Sequence, residues 1–164
     1  VDESEVPWKD PVESAKLLAE LKGVDAQMTR PIKTIIAADT IVLCDGQVMG
    51  KPLSPEEAKE MLETLSGRMH EVVTGIALIA PPNIRIIEAE STKVFFRELR
   101  PEEIRQYIET GEPFDKAGAY AIQGIGAFLV KHIHGSYTNV VGLPVCEVFE
   151  FLINEGVVEL EIDE

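Results

Sequence analysis

Apolar positions recur at helical spacing most clearly just after residue 53. Ser54, Pro55 and Glu57 have the pattern of a helix start, because serine caps a first turn, proline suits the first helical position and the glutamate completes a capping box. The apolar stripe that follows consists of Ala58, Met61, Leu62 and Leu65. Gly67 is a typical helix stop. These positions predict a helix over residues 54–67.

Other segments show the shorter period of strands, or continuous apolar runs rich in β-branched residues. They predict strands over residues 35–43, 47–49, 72–80, 84–98 and 127–133. Helical spacing predicts further helices over residues 11–23, 101–110 and 144–156. Strands in hairpins, interleaved with helices, predict an α/β fold with a mixed, twisted β-sheet and flanking helices. The length of 164 residues fits a single domain over 1–164.

The charge balance argues against several kinds of partner. The chain has 15 basic and 29 acidic residues, a net charge of −14, and such a surface repels a nucleic-acid backbone. No apolar run approaches the length of about 20 residues that crosses a membrane. Cys44 and Cys146 have no metal-ligand spacing, which is typical of free thiols in a reducing compartment. The composition therefore predicts a cytoplasmic protein that binds neither nucleic acid nor membrane.

Asp39 and Lys51 are the first candidates for chemistry. Asp39 interrupts an apolar run, and a carboxylate there needs a partner, a metal or an exposed strand end at which it bonds a turn. Lys51 lies between Gly50 and Pro52, just before the helix at Ser54. The intervening Asp45-Gly46 turn predicts a hairpin that brings Asp39 and Lys51 to the same end of the sheet. A carboxylate and a lysine placed together suit metal-assisted phosphate chemistry.

Two further stretches leave alternatives open. Residues 115–124 combine a charged pair with small residues, which fits either a tight structural loop or a wall that faces a ligand. His132 and His134 would share one face of a strand but lack a third ligand, so surface histidines are the better interpretation.

Several short motifs follow one another along nearly the whole chain. They are Val1-Asp2-Glu3, Leu18-Ala19-Glu20-Leu21-Lys22, Ala38-Asp39-Thr40-Ile41-Val42, Gly50-Lys51-Pro52, Leu65-Ser66-Gly67-Arg68 with His70, Val72, Thr74 and Gly75, Gly111-Glu112-Pro113, Asp115-Lys116-Ala117-Gly118-Ala119-Tyr120, Ile122-Gln123-Gly124 and Asn139-Val140-Val141-Gly142-Leu143-Pro144. In this order they resemble the Maf family. The resemblance implies a fold related to that of inosine triphosphatases, a homodimer, and hydrolysis of nucleoside triphosphates to the monophosphate and pyrophosphate with Mg²⁺ or Mn²⁺. The Ala-Tyr-x-Ile-Gln-Gly loop is similar to that of the branch acting on dTTP and UTP.

The resemblance also implies roles for eight residues. It implies a general base and metal ligand at Asp39, a second metal ligand at Glu3, triphosphate-binding cations at Lys22 and Lys51, base-selecting groups at Thr40 and Gln123, and a substrate-binding group at Lys116 that shapes the site together with Asp115. The division is chemically coherent, because cations neutralise charge on the phosphates while a carboxylate accepts a proton from water.

One part of the family pattern does not occur in this sequence. The family begins with a strand and a Ser-x-Ser-Pro-Arg-Arg phosphate-binding loop, and no such segment precedes Glu3. We therefore expect an N-terminally truncated Maf-like domain with an exposed sheet edge and, for this chain alone, weak hydrolysis, because lysine replaces bidentate arginine contacts poorly.

Two other functions stay open at this point. One is a purine-type pyrophosphatase acting on ITP or XTP. The other is a non-catalytic, nucleotide-binding regulator of septum formation.

Overall fold

The computed structural model describes residues 10–161. Its helices are α1 (Pro11–Thr29), α2 (Pro55–Leu65), α3 (Pro101–Glu109), α4 (Tyr137–Val141) and α5 (Val145–Asn154). Its strands are β1 (Ile35–Cys44), β2 (Gln47–Met49), β3 (Met69–Ala80), β4 (Ile84–Phe96) and β5 (Val130–His134). Short 3₁₀ turns cover Glu112–Asp115, Ala117–Ala119 and Gly124–Leu129. The α/β class predicted from the sequence is confirmed.

The strands form one sheet in the order β2-β1-β3-β4-β5, and the four pairings in it are antiparallel. Asp39 is paired with Gly75 and Thr40 with Thr74 across β1 and β3. The short strand β2 pairs only with residues 42–44 of β1. Within residues 10–161, no strand pairs with the rest of that edge of β1.

Helix α1 lies directly on strand β3. Its first turn is capped by Asp10, whose carboxylate accepts hydrogen bonds from two backbone N–H groups. A side-chain carbon built on Gly75 would lie only 2.0 Å from the carbonyl oxygen of Ala15. The absence of a side chain at Gly75 thus allows backbone contact between helix and sheet. Ala15, Ala19 and Gly23 supply the small buried face of α1 that this contact needs.

Alternating residues of the central strands pack on opposite faces of the sheet, as the pleat requires. Ile41, Leu43 and Val73 pack with Ala15 on the face covered by α1. The opposite face forms the larger core with α2, α3 and the loops after it, and its central members are Val42, Val72, Val94, Leu62, Leu65 and Tyr107. Asp39 and Thr40 are consecutive, so β1 presents them to opposite faces.

Most predicted elements are confirmed, with differences at their ends. Helix α1 continues to Thr29 instead of ending at Gly23, because Gly23 fits against the side chains of Ile79 and Ala77 and so serves as a packing residue. In α2, Ser54 caps the backbone of Glu57 as predicted, but the Glu57 carboxylate accepts from the N–H of Leu53. The predicted strand over 127–133 was wrong in its first three residues, which lie in a 3₁₀ turn. Helix α4 was not predicted.

The remaining fold expectations concern cysteines and membrane spans. Cys44 is buried, Cys146 is exposed, and both are free thiols, as the sequence predicts. In the described part of the chain, no helix combines the length and the apolar character needed to span a bilayer.

Gly75→Ala should strongly destabilise the protein. The added methyl group would overlap the backbone of α1, so the helix must shift, and we expect a loss of about 3 kcal/mol in the free energy of unfolding. Urea denaturation measures this loss. Gly50→Ala is the matched control, because a side-chain carbon at Gly50 meets nothing within 4 Å. Equal stability of the two variants would show that α1 does not depend on this contact.

Candidate functional site

Two cavities lie against the Asp39-Thr40 segment of β1. The helix-side cavity, of about 280 Å³, also has Leu18 and Lys22 of α1 in its wall. The loop-side cavity, of about 230 Å³, is lined instead by the loop after α3 and by the end of α4. The two cavities share Asp39, Thr40, Lys51 and Ala117. The shared wall therefore includes Asp39 and Lys51, the two residues that the sequence analysis names first as candidates for chemistry.

Asp39 is paired with Lys22 across the helix-side cavity. The Lys22 ammonium group donates a hydrogen bond to Asp39 Oδ1, and the two side chains are 36% and 13% exposed. Asp39 is in the middle of β1 and not at a strand end, so its carboxylate does not bond a turn. An ion pair with hydrogen bonding offsets the cost of burying this carboxylate. Lys22 reaches Asp39 because the α1 backbone rests on Gly75, the residue that pairs with Asp39.

Lys51 follows the β1–β2 hairpin and lines both cavities together with Asp39, as predicted, although they meet in the middle of β1 and not at an end of the sheet. Asp45 and Gly46 form the turn with φ angles of 50° and 78°, the conformation that tight hairpins require. The carbonyl oxygen of Gly50 accepts a hydrogen bond of 3.0 Å from the N–H of Gly118. This bond ties the segment that carries Lys51 to the loop on the other side of the site.

Asp115 and Lys116 form a pair in the wall of the loop-side cavity. Lys116 donates a hydrogen bond of 2.6 Å to Asp115, and this bond is the main reason why the pKa of Asp115 is below its ordinary value. The positive charge of Lys51 acts in the same direction. Residues 115–122 thus form a wall that faces the cavity, which favours the second of the two interpretations of this stretch.

Tyr120 of this wall is fixed from behind by His70. Tyr120 Oη and His70 Nε2 are 2.8 Å apart, and both residues are buried. Burial lowers the pKa of His70 to about 4, so its imidazole is neutral at physiological pH. His70 Nδ1 has no hydrogen-bond partner among the described residues. Without a partner, an unprotonated Nδ1 costs less free energy than a protonated one. We therefore assign the proton to Nε2, which donates it in the hydrogen bond to Tyr120.

A buried chain of polar groups supports the other side of the loop-side cavity. Thr40 Oγ1 lies 2.8 Å from Thr74 Oγ1, and Thr74 donates a hydrogen bond of 3.1 Å to the carbonyl oxygen of Asn139. The Asn139 amide donates to the carbonyl oxygen of Val72 and to Thr92 Oγ1. Asn139 is thereby fixed to the sheet, and with it Val140 and Gly142, which line the cavity.

The remaining predicted site residues have different outcomes. Lys116 lies in the wall of the loop-side cavity, whereas Gln123 is exposed and lines neither cavity. Glu3 lies outside the described residues. Among residues 10–161, no cluster of three or more His, Cys, Asp or Glu side chains is arranged to hold a metal ion. His132 stacks on Phe95 with ring centroids 4.2 Å apart, which agrees with a surface histidine.

His70, Thr74 and Asn139 were not predicted to support the site. Thr74 and His70 occur in strand-like sequence, and Asn139 in a loop-like motif, so only the tertiary contacts reveal their part. Thr74 is the exception, because a polar residue inside an apolar run is the same signal that marked Asp39.

The fold and the site together define an α/β protein with a cation-lined cleft that suits an anionic ligand. A family profile described as "Maf-like protein" matches residues 1–155. The chain belongs to the Maf family.

Individual relatives are similar over most of the chain. The dTTP/UTP pyrophosphatase of Geobacter sp. (strain M21) is 52% identical over 153 residues, which is 93% of this chain and 79% of the relative. The dTTP/UTP pyrophosphatase of Citrifermentans bemidjiense is 53% identical over 153 residues, with the same coverage. The protein of the same name from Pyrococcus furiosus is 51% identical over 152 residues, 93% of this chain and 80% of the relative.

Replacing His70 should change how stability depends on pH. The native pKa of about 4 is below the unfolded value near 6.5, so the unfolded chain takes up the proton first as pH falls. The stabilisation by neutral His70 is complete above the unfolded pKa and is lost between the two values. Wild type should therefore lose about 2 kcal/mol more than His70→Gln between about pH 7.5 and about pH 5. Urea denaturation at both pH values measures this difference, and parallel losses in the two proteins would contradict it.

Proposed function

We propose that this protein hydrolyses nucleoside triphosphates, with dTTP and UTP as preferred substrates, to the monophosphate and pyrophosphate. The observation that carries the proposal is the Asp39–Lys22 ion pair, which shares a cavity wall with Lys51. The proposal is supported by membership of the Maf family and by relatives at about half identity that are named dTTP/UTP pyrophosphatase.

The two cavities suit the two ends of a nucleotide. The helix-side cavity has Lys22 and Lys51 in its wall, and cations are needed there because the net charge of −14 repels a triphosphate. The loop-side cavity has an apolar wall that includes Tyr120, Ile122 and Val140, which suits a flat base. The triphosphate therefore belongs on the α1 face of β1 and the base on the opposite face.

Asp39 is placed to accept a proton from the water that attacks the α-phosphate. Its carboxylate is mostly buried and is oriented by the hydrogen bond from Lys22, so one oxygen is held and the other remains available. Lys22 and Lys51 neutralise charge that develops on the phosphate oxygens as the bond to the leaving pyrophosphate breaks. The contact at Gly75 thus holds the proton acceptor on β1 next to the Lys22 ammonium group on α1, and the segment after β2 supplies Lys51.

A divalent cation, Mg²⁺ or Mn²⁺, is proposed as cofactor. The donor chemistry fits, because Mg²⁺ binds through one or two carboxylates together with substrate phosphates, and Asp39 lines both cavities. Glu3, the second carboxylate implied by family resemblance, lies outside the described residues. A bound cation would neutralise negative charge on the phosphates, together with Lys22 and Lys51.

We further propose a cytoplasmic homodimer that acts on free nucleotides and binds neither nucleic acid nor membrane. The acidic net charge supports the lack of nucleic-acid binding. The dimer and the compartment are supported by family resemblance and composition, respectively.

The function is tested with a panel of triphosphates and one substitution. We expect pyrophosphate release to be faster from dTTP and UTP than from ITP and XTP. Asp39→Asn should reduce release by about 10²-fold or more, because general base catalysis contributes about 10²–10⁴-fold, while nucleotide binding is retained. Asp45→Asn is the matched control, since Asp45 is an exposed carboxylate in the turn that follows the same strand.

Each alternative function has its own outcome in this assay. A preference for ITP would support a purine-type pyrophosphatase. Nucleotide binding with no pyrophosphate release from any triphosphate would support a non-catalytic regulator.

Removing divalent cations should also stop hydrolysis. After treatment with a chelator we expect a loss of about 10²-fold or more in pyrophosphate release, because charge stabilisation by a metal contributes several kcal/mol. Adding Mg²⁺ or Mn²⁺ should restore the rate, whereas Ca²⁺, with its longer and more flexible coordination, should restore less of it. Full activity in the chelator would show that lysines suffice.

A further inference from the structure

The hydroxyl of Thr40 is held from inside the protein by a chain of two hydrogen bonds. Thr40 Oγ1 is 2.8 Å from Thr74 Oγ1, and Thr74 Oγ1 is 3.1 Å from the carbonyl oxygen of Asn139. Thr74 and Asn139 are fully buried, at 0% exposure, so solvent does not compete for these bonds. The chain ends at Thr40, which lines both cavities of the site.

The direction of both bonds follows from the chemistry of the groups. A carbonyl oxygen only accepts, so the single hydroxyl proton of Thr74 is donated to Asn139. Thr74 has no second proton to donate to Thr40, so the bond between the two hydroxyl groups must use the proton of Thr40. The Thr40 hydroxyl therefore has only lone pairs left for a ligand.

These lone pairs are within reach of the loop-side cavity. A side-chain carbon at Gly142, another residue of its wall, would lie 3.6 Å from Thr40 Oγ1. The absence of a side chain at Gly142 leaves that approach open.

We propose that Thr74, acting through Thr40, selects pyrimidine bases that carry a proton on ring nitrogen N3 over those that do not. This inference rests on the proposed function. Uracil and thymine present N3–H as a donor, whereas cytosine presents a bare N3, which would face the lone pairs of Thr40. A site whose fixed partner is an acceptor rejects a second acceptor, because both groups would be left unpaired. Thr74 is then a positioning residue for specificity and makes no contact with the substrate.

Thr74→Val is the direct test. Valine has nearly the same shape and lacks the hydroxyl, so the proton of Thr40 is released and can be donated to a ligand. We expect the preference for UTP over CTP to fall by about tenfold or more, with the change divided between weaker UTP and stronger CTP recognition. The preference is measured as the ratio of kcat/KM values for pyrophosphate release. Calorimetric titration with the α,β-imido analogues of UTP and CTP gives the same preference without turnover.

Three further variants separate specificity from stability. Thr92→Val is the matched control, because Thr92 is an equally buried threonine that bonds Asn139 and Ser136 but has no hydrogen bond to Thr40. It should lose similar stability and keep the ratio. Thr74→Ser retains the hydroxyl and should also keep the ratio. Thr40→Val removes the acceptor at a less buried position and should lower the preference even if Thr74→Val folds poorly.

The outcomes distinguish this inference from the proposed hydrolysis. Equal losses on UTP and CTP in both Thr74→Val and Thr40→Val would overturn the inference and would assign the Thr40 acceptor to the attacking water. Equal binding of the two imido analogues by wild type, or no binding of either, would overturn it as well. A binding preference that Thr74→Val removes, without release of pyrophosphate by wild type, would support the inference while the proposed hydrolysis fails.

Discussion

The close contact between helix α1 and strand β3 at Gly75 is the constraint on which the site depends. A side chain at Gly75 would occupy the position of the Ala15 carbonyl group, so the helix backbone can contact the strand at this point only because residue 75 is glycine. Gly75 pairs with Asp39, the only carboxylate residue of β1, so this contact also fixes the distance between α1 and Asp39. At this distance the Lys22 ammonium group is bonded to Asp39. One missing methyl group thus determines where a carboxylate and an ammonium group meet.

The pleat of β1 divides the site between the two faces of the sheet. Asp39 faces α1 and Lys22, while Thr40 faces Thr74 and the wall formed by the end of α4. Consecutive residues of a strand always point in opposite directions, so a one-residue shift of register would exchange the two groups. The register is fixed by the apolar pairs on either side, such as Ile41 with Val73 and Val42 with Val72. The core thereby determines which face can bind phosphate and which can bind a base.

The sequence predicted best those features whose cause is local. The capped helix α2 and the Asp45-Gly46 hairpin depend on residues a few positions apart, and both were predicted nearly to the residue. The end of α1 was predicted wrongly at Gly23. Glycine often ends a helix, but it can also lie inside a helix where it allows close packing. Helix α4 has five residues, too few for a periodic pattern. The support of Tyr120 by His70 links residues 50 positions apart, so no local pattern could indicate it.

The buried polar groups around the site include atoms without a hydrogen-bond partner, which lower the stability of the fold. Asn139 Oδ1 and His70 Nδ1 have no hydrogen-bond partner among the described residues, and each such atom costs about 1–3 kcal/mol. An apolar core at these positions would avoid that cost. Both residues, however, fix wall segments of one cavity, His70 through Tyr120 and Asn139 through its own backbone. An apolar side chain packs equally well in several rotations, whereas a hydrogen bond has a direction. Hydrogen bonds from these residues fix the orientation of the polar groups that face the ligand, which apolar packing would not do. The unpaired atoms are the energetic cost of that fixed orientation.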